Sequence, residues 1–454
     1  MENRRLIYPI IFVHGMFGWG EDVIFNKIIP YWGATGGSVT KYLRNKNIEC
    51  YAVSVGPTSS AWDQACELYA QLTGTRVDYG KIHAQKHNHK QHGRQYTKSI
   101  FDGWSENKKI HLVGHSFGGT CIRMLCHLLE YGAPEEVEAS GSDVSELFKG
   151  GKAYLVSSVT ALCSPMGDID TYKAFEEKNY IEIIQKGMSS YTGTLGRSFL
   201  NGKVIDFKLE HFGLTNTPGK RDAEPKREAK KRFVDSNDNI IYDLSPKGIK
   251  DINDTIEIVP NIYYFSYAFN AMEYSEKKQR DAIKNTHFIG LRYSAWLLMK
   301  YSHKNGIYTG NGQDGLVNVS AAFNPPDEPF VIYNDNFKKG VWNVMPVERG
   351  DHGTAIGLFA NADETHEGQG DQAVAVDIHQ YAGNALRSAL LHRVQGVDGK
   401  AELVGGPLLE EEHKSRHHDG DDRDGGGEVM VRPVFAQVLV VDFHQNLISC
   451  FFLV

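Results

Sequence analysis

A short apolar run, Ile110-His-Leu-Val113, passes directly into Gly114-His115-Ser116-Phe117-Gly118. It then enters a segment, Cys121–Glu130, in which Ile122, Leu125, Leu128 and Leu129 recur at helical spacing. A serine on so sharp a strand-to-helix turn adopts a strained backbone that leaves little room for side chains two positions to either side. Glycine at 114 and 118 is what such a turn requires. The pentapeptide in this context predicts a nucleophile elbow at the end of a buried parallel strand, and hence an α/β fold with a mostly parallel central sheet and helices on both faces. Tyr8–Val13, Ala153–Val159, Tyr263–Tyr267 and Phe330–Tyr333 read as further strands. The long polar insertion 166–240 carries a Lys/Arg/Glu cluster at 220–232, which reads as a solvated helix face.

With 454 residues the chain is long enough for one large domain and something more. Its 49 basic and 56 acidic residues leave a net charge of −7, which lacks the basic excess of a nucleic-acid binder, so no nucleic-acid partner is expected. No uncharged apolar run reaches the roughly 18 residues that a transmembrane helix needs. Six cysteines, at 50, 66, 121, 126, 163 and 450, form no C-x-x-C pair and read as reduced, buried thiols. The N-terminal apolar stretch has no small-residue cleavage site, so as written the chain reads as cytoplasmic, or as a mature form whose leader has been removed. Composition shifts after Ala360, which divides the chain into a domain at 1–360 and a tail at 361–454. In the tail, residues 378–390 show one helical apolar face, 413–427 reads as a solvated loop, and 434–454 as a strand or an apolar end. Oligomeric state has no signature in these residues.

Serine chemistry needs a base and an acid that orients it, following here in the order Ser, Asp, His. Gly350-Asp351-His352-Gly353 supplies the base, His352, in a loop after a strand-like stretch. Asp314, in Gln313-Asp314-Gly315, and Asp351 compete as the acid. Asp314 is preferred, because an immediate neighbour in sequence rarely reaches the far imidazole nitrogen. The N-terminus of the helix after the elbow makes the Phe117 amide an oxyanion donor, and His14-Gly15 at the end of the first strand points to the Met16 amide as the second. His14 itself reads as orienting that loop. Together these residues predict attack of Ser116 on an ester carbonyl and hydrolysis of the acyl-enzyme.

Beyond the elbow, the chain carries Pro9 to Gly20 (PIIFVHGMFGWG), Val55-Gly-Pro-Thr-Ser-Ser-Ala-Trp-Asp63, Val77-Asp-Tyr-Gly80 with a histidine cluster after it, Asp206-Phe-Lys-Leu209, Tyr242-Asp-Leu-Ser245, Asp314-Gly315 and Lys338-Lys-Gly-Val-Trp-Asn343. Over roughly 6–360 these motifs resemble the thermoalkaliphilic bacterial lipases and the related staphylococcal triacylglycerol lipases, within the α/β-hydrolases. The resemblance implies an α/β-hydrolase fold and places nucleophile, acid and base on Ser116, Asp314 and His352. It also implies a structural zinc ion held by Asp63, His83, His89 and Asp238, pinning an extra subdomain to the sheet, with His87 and His92 as bystanders. By spacing alone, the histidines at 83, 87, 89 and 92 would read as a solvated cluster. The family's calcium ligands after the catalytic histidine are replaced here by Thr354 and Phe359, so no calcium site is expected. Its lid corresponds to about 166–200, where Tyr172, Phe175, Tyr180, Ile181, Ile183 and Ile184 suit a helix covering an acyl pocket at a lipid–water interface.

The function expected is that of a serine carboxylester hydrolase acting on acylglycerols. A soluble carboxylesterase or a phospholipase would use the same triad. A catalytically silent, metal-stabilised binding protein is the reading outside enzymes, and it would be marked by a missing triad member.

Overall fold

Seven short strands pair side by side, every neighbour parallel: β1 (Ile10–Val13), β2 (Cys50–Val53), β3 (Ile110–His115), β4 (Val156–Leu162), β5 (Tyr263–Tyr267), β6 (Phe330–Ile332) and β7 (Trp342–Val344). Their order across the sheet is β6-β7-β5-β4-β3-β1-β2. The computed structural model describes residues 8–357 apart from 35–36, 196–205, 215–225, 276–279, 285, 287–288, 306–311 and 334–335. The tail 361–454, with its expected helix, loop and apolar end, lies outside the described residues, as do Phe359 and Cys450.

A parallel sheet covered on both faces needs strands that are apolar on both sides, and β1 and β3 are buried along their whole length. Successive side chains point to opposite faces, so Ile11 and Val13 enter one core, with Leu112, Val159 and the helices α1 (Ala61–Thr73) and α3 (Phe117–Tyr131). Ile10 and Phe12 enter the other, with Trp32, Val113, Leu162 and Phe265. From β1 the chain moves outward to β2 and then returns to the other side of β1 to form β3. The sheet order therefore reverses between β1 and β3, and a crevice opens at their carboxyl ends. His14–Met16 and Ser116 sit at that reversal.

The strand expected over Ala153–Val159 starts at Val156 and runs to Leu162, because Ala153–Leu155 form a 3-10 turn. Two strands carried no clear signal. β2 is four residues long, and β7 holds a polar Asn343 whose side-chain amide donates to the carbonyls of Tyr264 and Lys338. The basic cluster forms a helix over Lys226–Asp235, but Ala229 and Phe233 on it are fully buried, so one face packs inward and only the other is solvated. Five cysteines are buried and free. No helix among the described residues is long and apolar enough to cross a membrane.

A small layer lies against α1. It comprises an antiparallel pair, Arg76–Asp78 with His92–Gln95, the helix α2 (Lys81–His87), and the segment 206–214. Arg94 binds Asp206 and Glu210, and the buried Lys208 ammonium contacts Tyr96 Oη at 3.1 Å and Asp206 at 3.2 Å.

Candidate functional site

Ser116 takes φ 54° and ψ −129°, a conformation side chains rarely adopt, at the junction of β3 and α3. The strain is over-determined by packing. A Cβ on Gly114 would lie 2.4 Å from the Gly118 carbonyl oxygen, and one on Gly118 would lie 2.4 Å from that of Val13. The Ser116 amide donates to the Leu162 carbonyl at 2.8 Å, which anchors the turn to β4. The helix that follows begins at Phe117, so its free amides face the crevice.

Across the crevice, the ring Nδ1 of His352 is 2.7 Å from Asp314 Oδ2, and the His352 amide donates to the Asp314 carbonyl at 2.8 Å. Asp314 Oδ1 accepts from the amides of Leu316 at 2.8 Å and Val317 at 2.7 Å. With one carboxylate oxygen satisfied by the backbone, the other is aimed at the imidazole. Asp351 points elsewhere: its Oδ1 accepts from the Gly353 and Thr354 amides and the Thr354 hydroxyl, holding its own turn together. Asp314 is therefore the carboxylate brought to His352. The Cys163 thiol lies beside them; burial first, and then the Asp314 charge, push it well above the ordinary thiol range, so it stays protonated.

The loop after β1 completes the crevice. His14 is fully buried, and burial lowers its imidazole to about 4. Its neutral ring accepts from the Val55 amide at 3.1 Å through Nε2 and donates through Nδ1 to the Gly15 carbonyl at 2.8 Å. Phe17, at φ 57°, donates its amide to the Pro57 carbonyl, and Gly18 donates back to Gly15, so the loop carrying Met16 is tied at several points. A Cβ on Gly15 would lie 2.6 Å from Ser116 Cβ, which places this loop directly against the serine.

The segment expected to act as a lid forms helices α4 (Asp170–Glu176) and α5 (Tyr180–Leu195). The start of α4 is fastened to the acid turn: the Asp170 amide donates to Asn318 Oδ1 at 3.1 Å, and the Thr171 hydroxyl donates to the Leu316 carbonyl. Phe175, Ile184 and Met188 turn inward, and Tyr180 shares a 2.9 Å hydroxyl–hydroxyl bond with Tyr293.

A second constellation joins α1, α2 and the loop before Ile240. One donor atom from each of Asp63, His83, His89 and Asp238 falls within 4.8 Å of the others. His83 Nε2 is 3.3 Å from Asp63 and 3.2 Å from Asp238, and His89 Nε2 is 3.1 Å from Asp238. A tetrahedral ion with bonds of about 2.05 Å would hold its ligands about 3.3 Å apart, so these spacings suit one. Asp63 Oδ1 and His89 Nε2 are buried and make no hydrogen bond, which is costly unless a cation meets them. The outer partners are in place as well. His89 Nδ1 donates to the Lys90 carbonyl at 2.9 Å, leaving Nε2 free to coordinate, and His211 Nε2 donates to Asp63 Oδ2 at 2.8 Å. Burial opposes a charge on His83, yet Asp238 and Asp63 push it up to about 10: with no metal bound, a proton must answer the two carboxylates. His87 turns instead to the Ser236 carbonyl. The fully buried His211 lies two positions after the end of the Asp206-Phe-Lys-Leu209 motif, beyond Glu210, and that nearness was its only sequence signal.

A cavity of about 1080 Å³ opens beside this cluster, lined by Trp62, His83, His87, Asp238 and Tyr242 among others. Its position ties it to the histidine–aspartate group and not to Ser116.

The family model described as "Lipase-like, C-terminal domain" matches residues 6–380. A lipase from Staphylococcus hyicus is 32% identical over 363 residues, covering 78% of this chain and 54% of the relative. The chain spans about half the length of the curated relatives it matches. The crystal structure of S. hyicus lipase superposes with a TM-score of 0.69 at 29% identity, covering 86% of this chain and 97% of that one. The structure of EstA from Clostridium botulinum gives 0.61 at 31% identity, covering 83% and 87%.

Proposed function

The chain belongs to the lipase family defined by that C-terminal domain, and on this premise we propose that it hydrolyses carboxylic esters of acylglycerols through a Ser116–His352–Asp314 triad. The observation that carries the reading is the 2.7 Å bond between His352 and Asp314, across the crevice from a strained elbow serine. His352 accepts the Ser116 proton as the hydroxyl oxygen attacks the carbonyl carbon, and Asp314 stabilises the resulting imidazolium. The amides of Met16 and Phe117 hold the oxyanion. The imidazolium then protonates the departing alcohol, and a water activated by the same imidazole releases the fatty acid and restores Ser116.

Asp63, His83, His89 and Asp238 would hold a zinc ion, which supplies no reaction chemistry and cross-links α1, α2 and the loop before Ile240. The helices within 166–200 serve as a lid over the acyl pocket, and the substrate is met at a lipid–water interface. Support for this comes from the apolar residues of α4 and α5 and from their attachment to the acid turn. The test is hydrolysis of a p-nitrophenyl ester series alongside emulsified triacylglycerol, with fluorophosphonate labelling of Ser116. A lipase is expected to gain rate once substrate aggregates, and Ser116→Ala to abolish both turnover and labelling. Activity of soluble esters alone would identify a carboxylesterase, and turnover by Ser116→Ala would refute the nucleophile.

A further inference from the structure

The histidine inside the elbow, His115, is buried at the crevice yet takes no part in the chemistry above. Its Nε2 lies 2.9 Å from the backbone carbonyl oxygen of His352, and its Nδ1 lies 2.7 Å from the Tyr31 hydroxyl. The same hydroxyl oxygen lies 3.0 Å from the Gly15 amide nitrogen. Only one proton arrangement satisfies all three bonds. A carbonyl can only accept, so Nε2 carries the ring proton; Nδ1 of a neutral imidazole then accepts from the tyrosine O–H; and the tyrosine oxygen accepts from Gly15 N–H. Burial, reinforced by the neighbouring His352, holds His115 well below the ordinary imidazole range, while burial pushes the Tyr31 phenol up, so both groups keep the protonation this requires.

The two ends of this chain of bonds are the two halves of the machinery. Gly15 immediately precedes Met16, whose amide meets the oxyanion, and the His352 carbonyl belongs to the residue that moves the proton. These segments lie 337 positions apart in sequence, and the path between them crosses from the loop after β1, through a residue of the intervening loop, to the elbow itself. We propose that Tyr31 and His115 are positioning residues that set the oxyanion loop and the base loop at a fixed separation, so that their contribution appears in the transition state and not in substrate binding. This rests on the hydrolase reading above. Misplacement of catalytic groups by about an ångström is enough to cost roughly 100-fold, whereas ground-state binding of an acyl chain does not depend on that alignment.

Tyr31→Phe removes the shared hydroxyl while keeping the ring that packs against His14, Trp19 and Trp32. Its turnover on a p-nitrophenyl ester is measured per active site, counted by fluorophosphonate labelling, together with affinity for an alkyl boronic acid that mimics the tetrahedral adduct. Expected is a loss of roughly 10- to 100-fold in kcat, with KM unchanged and boronate affinity reduced by a similar factor. A merely structural role would lower the number of labelled sites and the melting temperature while leaving kcat per site intact, and kcat per site within twofold of wild type overturns the proposal. Should Tyr31→Phe not fold, His115→Asn, which withdraws the donor from the His352 carbonyl, is read in the same way against the same twofold limit. Wild-type protein that the fluorophosphonate does not label overturns the hydrolase reading and the relay with it. A labelled wild type with an unimpaired Tyr31→Phe overturns the relay alone.

Discussion

Replacing Asp314 by asparagine changes one atom, and the surrounding bonds dictate what that atom does. Oδ1 accepts two backbone amides, from Leu316 and Val317, at 2.8 and 2.7 Å. An NH2 group cannot accept, so the asparagine oxygen must stay on that side and the amide nitrogen must face His352. Nδ1 of the imidazole, 2.7 Å away, then meets a donor and has to give up its proton to Nε2. The tautomer is inverted: the nitrogen that should take the Ser116 proton already carries one. In serine hydrolases that inversion costs about 10⁴ in kcat, roughly 5.5 kcal/mol of transition-state stabilisation. Because the amides of the acid turn keep their acceptor, the melting temperature should move by only a few degrees. Alanine at the same position leaves both amides unpaired and should destabilise the fold as well. The assay is kcat and KM on a soluble p-nitrophenyl ester, with thermal melts of both variants. An asparagine variant that keeps more than a tenth of wild-type kcat, or a base that works equally well with either tautomer, would refute the assignment of Asp314.

Three further outcomes are expected. Chelation should lower the melting temperature: a metal present at 100 times its dissociation constant contributes about 2.7 kcal/mol, and Asp63→Asn should erase the difference between chelated and metal-loaded protein. Elemental analysis of the purified protein checks the occupancy, and a metal-free sample of unchanged stability argues against the site. Gly118→Ala should cripple the enzyme by forcing a Cβ to within 2.4 Å of the Val13 carbonyl, with loss of fluorophosphonate labelling as the measurement. The third concerns pH. His14 titrates near 4 when folded and near 6.5 when unfolded, so between those values the unfolded chain binds more protons and stability falls as the pH drops. The full effect is about 3 kcal/mol, reached below pH 4. Urea midpoints of wild type and His14→Gln should converge across that window, and parallel curves would show that the ring is not buried in neutral form.

The elbow was legible in the letters because its constraint is local. A strand, a strained serine and a helix follow one another without a break from Ile110 to Tyr131, and glycine at 114 and 118 answers clashes with backbone a few positions away or on the adjacent strand. The same holds for the strands β1, β3 and β5, whose apolar runs are long enough to stand out, and fails for β7, where Asn343 is polar for a reason found only in the carbonyls it meets. The preference for Asp314 over Asp351 rested on a geometric argument in the sequence. In the folded chain, Asp351 Oδ1 accepts from its own turn, while Asp314 has one oxygen held by backbone amides and the other 2.7 Å from the His352 ring.

What the residues alone determined, then, is an order along the chain: a strand, a serine turn and a helix, followed downstream by the aspartate and histidine expected to serve that serine, while the histidines after Gly80 had no more than a solvated cluster's spacing. The tertiary structure decided which atoms meet. Asp63, His83, His89 and Asp238 come within 4.8 Å of one another only when α1, α2 and the loop before Ile240 converge, and His211 joins them from a segment with no metal-binding pattern of its own. Likewise Tyr31 and His115 are an ordinary tyrosine and histidine until folding buries them between Gly15 and His352. Burial is the physical reason, since removing water makes each unpaired donor or acceptor expensive, and partners from remote parts of the chain are then held to one geometry.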